Sequence, residues 1–372
     1  MNQKRRAMFD ARIAAVQSGL EKAGAAGAVF GLSSSLRYLV GFSDEPGERA
    51  LLLVVPHSGE PTMIVPALYV DQVEGIDPPA TIKSWADGED PMSIVRELAE
   101  KMTGSSGRVL VDDTLWAMFL LPIREAFRDR AFGLASEVVT PLRMCKTEDE
   151  VAAMRRAGQI ADRAFENAVA EPVAGCTELE LAGRLEAAML AHGADGIAFE
   201  TLVASGTNSA LPHYRAGGRR VEEGDIVILD YGCRVDGYCS DISRTIVCGE
   251  PTAEMEQVHD AVRRGHWAAR ERVAVGIRAE EVDAAARDTL TSAGYGDRFV
   301  HRTGHGIGLD VHEPPYIVAG NNEILKAGMA FSIEPGAYLT GSFGVRIEDV
   351  VVVGKNGALA MTNAPQELRR VT

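Results

Sequence analysis

The sequence predicts an α/β (α+β) chain of two domains, residues 1–142 and 143–372. Three observations carry that expectation. Short helix and strand signals alternate through the first 142 residues, the pattern of a layered α/β unit. Beyond them come long, well-capped helices, and strands dominate after Gly328. Between the two patterns, Thr140-Pro141 breaks the helical periodicity.

The elements follow in order. An amphipathic stretch from Met8 to Lys22 reads as the first helix, ahead of strands through Ala28-Val29-Phe30, Ala50 to Val55 and Thr62 to Val65. A helix from Met92 to Lys101 and a strand at Val109-Leu110-Val111 complete a unit with few candidate catalytic groups. Thr147-Glu148-Asp149-Glu150 is a capping box, in which hydroxyl and carboxylate satisfy each other's orphan N–H groups, and it opens a helix to Ala170. Thr177 to Glu180 is a second box, opening a helix closed by Gly193. A strand from Phe199 to Ala204 and helices from Thr252 to Val275 and Ala279 to Ala293 follow, with Gly294 just past the last helix.

Whole-chain properties narrow the function classes. A hydrophobic content of 46% over 372 residues is enough for two cores. A formal net charge of −15 argues against non-specific nucleic-acid binding and against anionic membrane surfaces. The start, Met1 to Arg6, is basic but leads into an amphipathic stretch and not into an apolar signal core. No run approaches 18 apolar residues, so no transmembrane helix is expected. Cys145, Cys176, Cys233, Cys239 and Cys248 are odd in number, form no C-x-x-C pair, and fit the reduced thiols of a cytoplasmic protein.

Four carboxylates and an imidazole stand where charge is costly. Asp230 ends Ile226-Val227-Ile228-Leu229, Glu334 ends Met329-Ala330-Phe331-Ser332-Ile333, and Glu348 precedes Val350 to Val353. Burying a bare carboxylate costs several kcal/mol, so a cation or donor must compensate. Asp236-Gly237 is a two-residue hairpin signal between the strands through Asp230 and Asp241. That turn sets Asp230 opposite Ser243, with Asp241 as its diagonal same-face neighbour at about 7 Å. Carboxylates at that spacing can bridge metals about 3.5–4 Å apart. With His305, set between Gly304 and Gly306, they make an oxygen-rich cage for two divalent metal ions. Such a set suits Mn²⁺ and admits Co²⁺ or Zn²⁺. Arg346 shares parity, and so a face, with Glu348.

Leu211-Pro212-His213-Tyr214, Leu229 to Gly232, Tyr238-Cys239-Ser240-Asp241, His301 to Leu309, Val311-His312-Glu313, Ser332 to Gly336 and Gly344 to Asp349 together resemble the pita-bread metallopeptidases. Their order and spacing are most similar to those of Xaa-Pro peptidases, the prolidases and aminopeptidases P. The resemblance covers essentially the whole chain. It implies an N-terminal creatinase-like α/β domain for substrate gating and dimerisation, a C-terminal pita-bread catalytic domain, and a homodimer.

The resemblance also implies roles. Asp230, Asp241, His305, Glu334 and Glu348 become metal ligands, with Glu334 also handling the proton of the attacking water. His213, His301 and His312 become substrate contacts, His213 and His312 acting in catalysis. The implied substrates are small peptides with proline at position two, whose tertiary amide has no N–H for an ordinary peptidase to hold. Phe199, Tyr231 and Tyr338 are candidate walls for the ring. A dipeptidase needs a cation for the carboxylate after proline, and Arg49, Arg37 and Arg346 are the candidates, Arg49 preferred for its Gly/Pro-rich loop. An aminopeptidase P acting on longer peptides, a methionine aminopeptidase and a non-peptidase hydrolase or lyase on the same fold are the alternatives. His192, His259 and His266 lie on helices and are expected to be solvated or capping.

Overall fold

The computed structural model describes residues 3–102 and 107–372. Met1 and Asn2, part of the basic start, lie outside the described residues. The chain divides into two compact units, Met1–Arg143 and Met144–Thr372.

The first unit is built on a six-stranded mixed sheet. Its order is Thr81–Trp85, Thr62–Pro66, Leu52–Pro56, Ala25–Phe30, Arg108–Val111, Phe132–Leu134. The strand Ala25–Phe30 is buried along its whole length, as a central strand covered on both faces must be. The expected helix over Met92–Lys101 is present with those bounds, and the first helix starts earlier, at Gln3. One expectation fails. The helix Ser136–Met144 runs through Pro141. Proline removes one donor, but Val138 and Val139 are buried on this helix and tertiary packing holds the turn together.

In the second unit both expected capping boxes form, with Thr147 and Thr177 accepting from the N–H groups of Glu150 and Glu180. The helices Glu148–Ala170 and Glu178–Ala191 share an apolar core with Val203, Val227, Leu229 and Ile242. The helices Ala253–Arg272 and Ala279–Ser292 share another with Ile226, Phe331, Ile333 and Val351. These cores support a nine-stranded sheet. Its main path is Glu313–Ile317, Gly304–Gly306, Ala330–Ile333, Glu348–Gly354, Ile242–Cys248, Ile226–Tyr231, Leu202–Ser205. Residues 227, 229 and 231 enter the first core, so the pleat turns Asp230 to the opposite face.

Candidate metal centre and active site

Register brings the acidic residues together. Asp236 and Gly237 have φ of 52° and 84°, the turn that matches strand twist, and Ser243 pairs with Asp230 as the hairpin count requires. Ser243 also pairs with Glu348 across its other edge, so Asp230, Ser243 and Glu348 form one row over three strands. Ile333 pairs with Asp349, and one step further the same register aligns Glu334 with Glu348.

Glycine sets the remaining wall. A Cβ on Gly304 would lie 1.8 Å from the Ser332 carbonyl oxygen, and one on Gly306 would lie 2.3 Å from that of Glu313. Only bare backbone allows the His305 strand so close, which explains the glycines on either side of that residue.

Asp230, Asp241, His305, Glu334 and Glu348 all line one cleft, with His213, His301, His312 and Arg346. The His305 Nε2 lies 3.3 Å from Glu334 Oε1 and 3.6 Å from Asp241 Oδ2. Its Nδ1 donates to the Gly306 carbonyl at 3.1 Å, leaving the Nε2 lone pair turned to the acids, the tautomer a metal requires. Ser243 Oγ donates to Glu348 Oε2 at 2.7 Å, and Ser332 Oγ to Glu334 Oε1 at 3.1 Å. Asp230 Oδ1 and Glu348 Oε1 are buried without a hydrogen-bond partner.

Electrostatics point the same way. Burial, then the charges of Glu348, Asp230 and Glu334, raise the Asp241 carboxyl well above its ordinary range. Burial, then Glu334 and Asp230, do the same to Glu348, and burial pushes Glu334 up to about 7. Burial lowers His305 to about 3, so its imidazole is neutral and ready to ligate. Orphaned oxygens, crowded carboxylates and a neutral imidazole with its lone pair turned inward fit divalent metal ions.

The other histidines differ in their ties. The His312 ring lies 4.1 Å from that of His305. His301 donates from Nδ1 to the Arg302 carbonyl, and its Nε2 accepts from the Tyr338 hydroxyl at 2.9 Å. Arg346 donates to Asp230 Oδ2 at 2.6 Å, to Ser243 Oγ, to the Pro212 carbonyl and to the Tyr338 hydroxyl. It therefore holds an acid of the cage in place. Phe199 lines the cleft, but Tyr231 does not: it is fully buried and donates to the Ala161 carbonyl, on the helix side of its strand. Arg49, in the first unit, is forked onto Asp87 at 3.1 and 2.9 Å and paired with Glu48.

Sequence reasoning passed over Arg302. Its side chain lines the cleft, and its guanidinium lies 4.6 Å from the centre of the Tyr316 ring. It lowers His312, after burial, and His305. The only available signal was its place inside the His301 to Leu309 motif.

The Metallopeptidase family M24 model matches residues 152–355, the segment that carries every one of the converging acids. The chain belongs to this family. The Creatinase/Prolidase N-terminal domain model matches residues 12–145. Membership makes the chain a metallopeptidase, and the family implies divalent metal ions. Among solved structures, a recombinant prolidase from Thermococcus sibiricus is 40% identical, with a TM-score of 0.93 over 98% of this chain and 99% of that one. Dipeptidase PepE from Mycobacterium ulcerans is 42% identical, with a TM-score of 0.91 over 98% of each chain. An Xaa-Pro dipeptidase from Lactobacillus helveticus is 36% identical over 90% of this chain and 92% of its own length.

Proposed function

We propose that this M24 peptidase is an Xaa-Pro dipeptidase using two divalent metal ions, with Mn²⁺ the best match to an oxygen-rich set containing one imidazole. Asp230, Asp241, His305, Glu334 and Glu348 would hold them. When bound, such ions activate a water and polarise the scissile carbonyl. Glu334, which lines the cleft 3.3 Å from His305 Nε2, would take up the proton of that water. His312, beside His305, and His213, which lines the same cleft, would donate to oxygen as charge develops there. Phe199 offers an apolar surface to the substrate.

The observation that carries the dipeptide reading is Arg302. It faces the cleft without an ion pair among the described residues, whereas Arg346 is committed to Asp230 and Arg49 to Asp87. A fork-shaped cation stacked on an aromatic ring suits a terminal carboxylate one residue past the scissile bond. The same reading takes the first unit to gate substrate and to dimerise the chain, with exposed Trp116, Met118 and Leu121 as apolar material for a contact. It sets the enzyme in the cytoplasm, where five free cysteines are at home.

The test is a kinetic panel of Xaa-Pro dipeptides against Xaa-Pro-Xaa tripeptides with added Mn²⁺. Dipeptides should be preferred, and Arg302→Met should raise KM for dipeptides by about 10- to 100-fold while sparing tripeptides. Equal loss on both lengths would remove Arg302 from carboxylate recognition, and faster tripeptide cleavage by the unaltered enzyme would favour an aminopeptidase.

A further inference from the structure

Glu178 is the first residue of the helix Glu178–Ala191 and is completely buried. An acid there commonly complements its own helix terminus, where Thr177 and Glu180 already form the capping box. The oxygens of Glu178 are turned elsewhere. Oε1 accepts from the Ser205 N–H at 2.9 Å, the Ser205 hydroxyl at 2.7 Å and Asn208 Nδ2 at 2.9 Å. Oε2 accepts from the Tyr214 hydroxyl at 2.9 Å and the Gly217 N–H at 3.1 Å. These five donors flank His213 on both sides of a single loop.

Hydrophobic packing does little for that loop near His213. Leu211 is 53% exposed, and His213 and Arg215 are exposed. The ties present are polar: Asn208 also donates to the Tyr214 hydroxyl, and Arg346 donates to the Pro212 carbonyl. Burial would raise the Glu178 carboxyl, but the hydrogen bonds from Asn208 and Ser205 outweigh it and the net direction is down. The group therefore stays an anion, and its two oxygens, with about four acceptor sites, are both turned to donors of this loop.

We propose that Glu178 is the positioning residue of the 205–217 loop and, through it, of His213; this rests on the assignment of His213 to the substrate. Glu178 never reaches the reacting atoms. It fixes where the His213 ring stands, so its loss should act on the same step as loss of that ring.

The experiment is a double-mutant cycle on the Mn²⁺-loaded enzyme with an Xaa-Pro dipeptide. Glu178→Gln keeps the size but turns a donor toward the Gly217 N–H, and Asn208→Ala removes one donor and serves if the first variant folds poorly. Each should lower kcat by about 5- to 50-fold with KM nearly unchanged, retain two metals, and speed tryptic cleavage at Arg215. In a His213→Ala background the same changes should cost less than about twofold, because there is no ring left to misplace. Full, additive losses in that background, or unchanged kcat in both single variants, would overturn the positioning role. If His213→Ala alone turned over the substrate as fast as the unaltered enzyme, the assignment of His213 would fall and this inference with it.

Discussion

His259 and His266 lie on the helix Ala253–Arg272, and neither is solvated as their helical setting suggested. Both are buried, and His266 lies 3.1 Å from Asp349, which also pairs with Arg244 at 2.7 Å. The reason is register: these positions share the helix face that meets the sheet. Burial, then Arg263, lowers His259 to about 4, below its unfolded value of about 6.5. The unfolded chain then binds the proton first, so this group's contribution is intact above pH 6.5 and is lost as pH falls toward 4. His259→Gln should narrow the fall in Tm between pH 7 and pH 5, measured by calorimetry. Among the cage residues, Asp230→Asn should leave the circular dichroism spectrum intact, strip at least one metal and cut turnover by several orders of magnitude. Elemental analysis alongside kinetics checks it, and retention of both metals with near-normal turnover would sink the dinuclear reading. His312→Ala should keep its metals yet lose most of kcat, since a donor to a developing oxyanion acts mainly in the transition state.

Element-scale features were the most legible. The capping boxes at Thr147 and Thr177 use local rules, as does the Asp236-Gly237 hairpin, and all three form where their sequences indicate. Short elements such as Ser34–Val40 and Phe132–Leu134 gave no usable periodicity. Glycines separate by what surrounds them. Gly304→Ala should push the His305 strand from Ser332, lowering both Tm and metal affinity, because its Cβ would meet backbone at 1.8 Å. Gly183→Ala, with nothing within 4 Å and an exposed helical site, should instead stabilise the chain by roughly 0.5–1 kcal/mol. Denaturant titration of the two variants, with Mn²⁺ binding measured on each, decides both.

At the scale of the whole molecule, crowding carboxylates in one cleft should make the stability of the second unit depend on cations. The metal-stripped protein should melt lower, and added Mn²⁺ should restore the transition in a concentration-dependent way. Its pH dependence has a definite sign. Burial holds Asp241 and Glu348 well above their ordinary range and Glu334 at about 7, so the folded stripped protein keeps protons that the unfolded chain has released. Stability conferred by those protons is full below about pH 4 and is lost as pH rises through 7. Calorimetry of stripped protein at pH 5.5 and 8 should therefore show the lower Tm at pH 8, and metal should reduce that gap. A stripped protein equally stable at both would contradict the crowded-acid account.

The sequence by itself pointed to the two-part architecture, the main helices of the second unit and five residues that meet in one cleft, because each rests on a local or short-range rule. Capping, turn chemistry and strand parity are decided within a few residues, and carboxylates ending apolar runs advertise a compensating cation. What each arginine and histidine does was decided only in three dimensions. Arg346 is spent on Asp230, Arg49 on Asp87, and Arg302 is left facing the cleft. Tyr231 could have lined the site until the pleat sent it to the helices. Side-chain partners lie on strands and loops far apart in the chain, 116 positions for Arg346 and Asp230, and no local pattern records such a meeting. Glu178 makes the same point, since its capping position hid a carboxylate whose donors come from a loop 27 to 39 residues away.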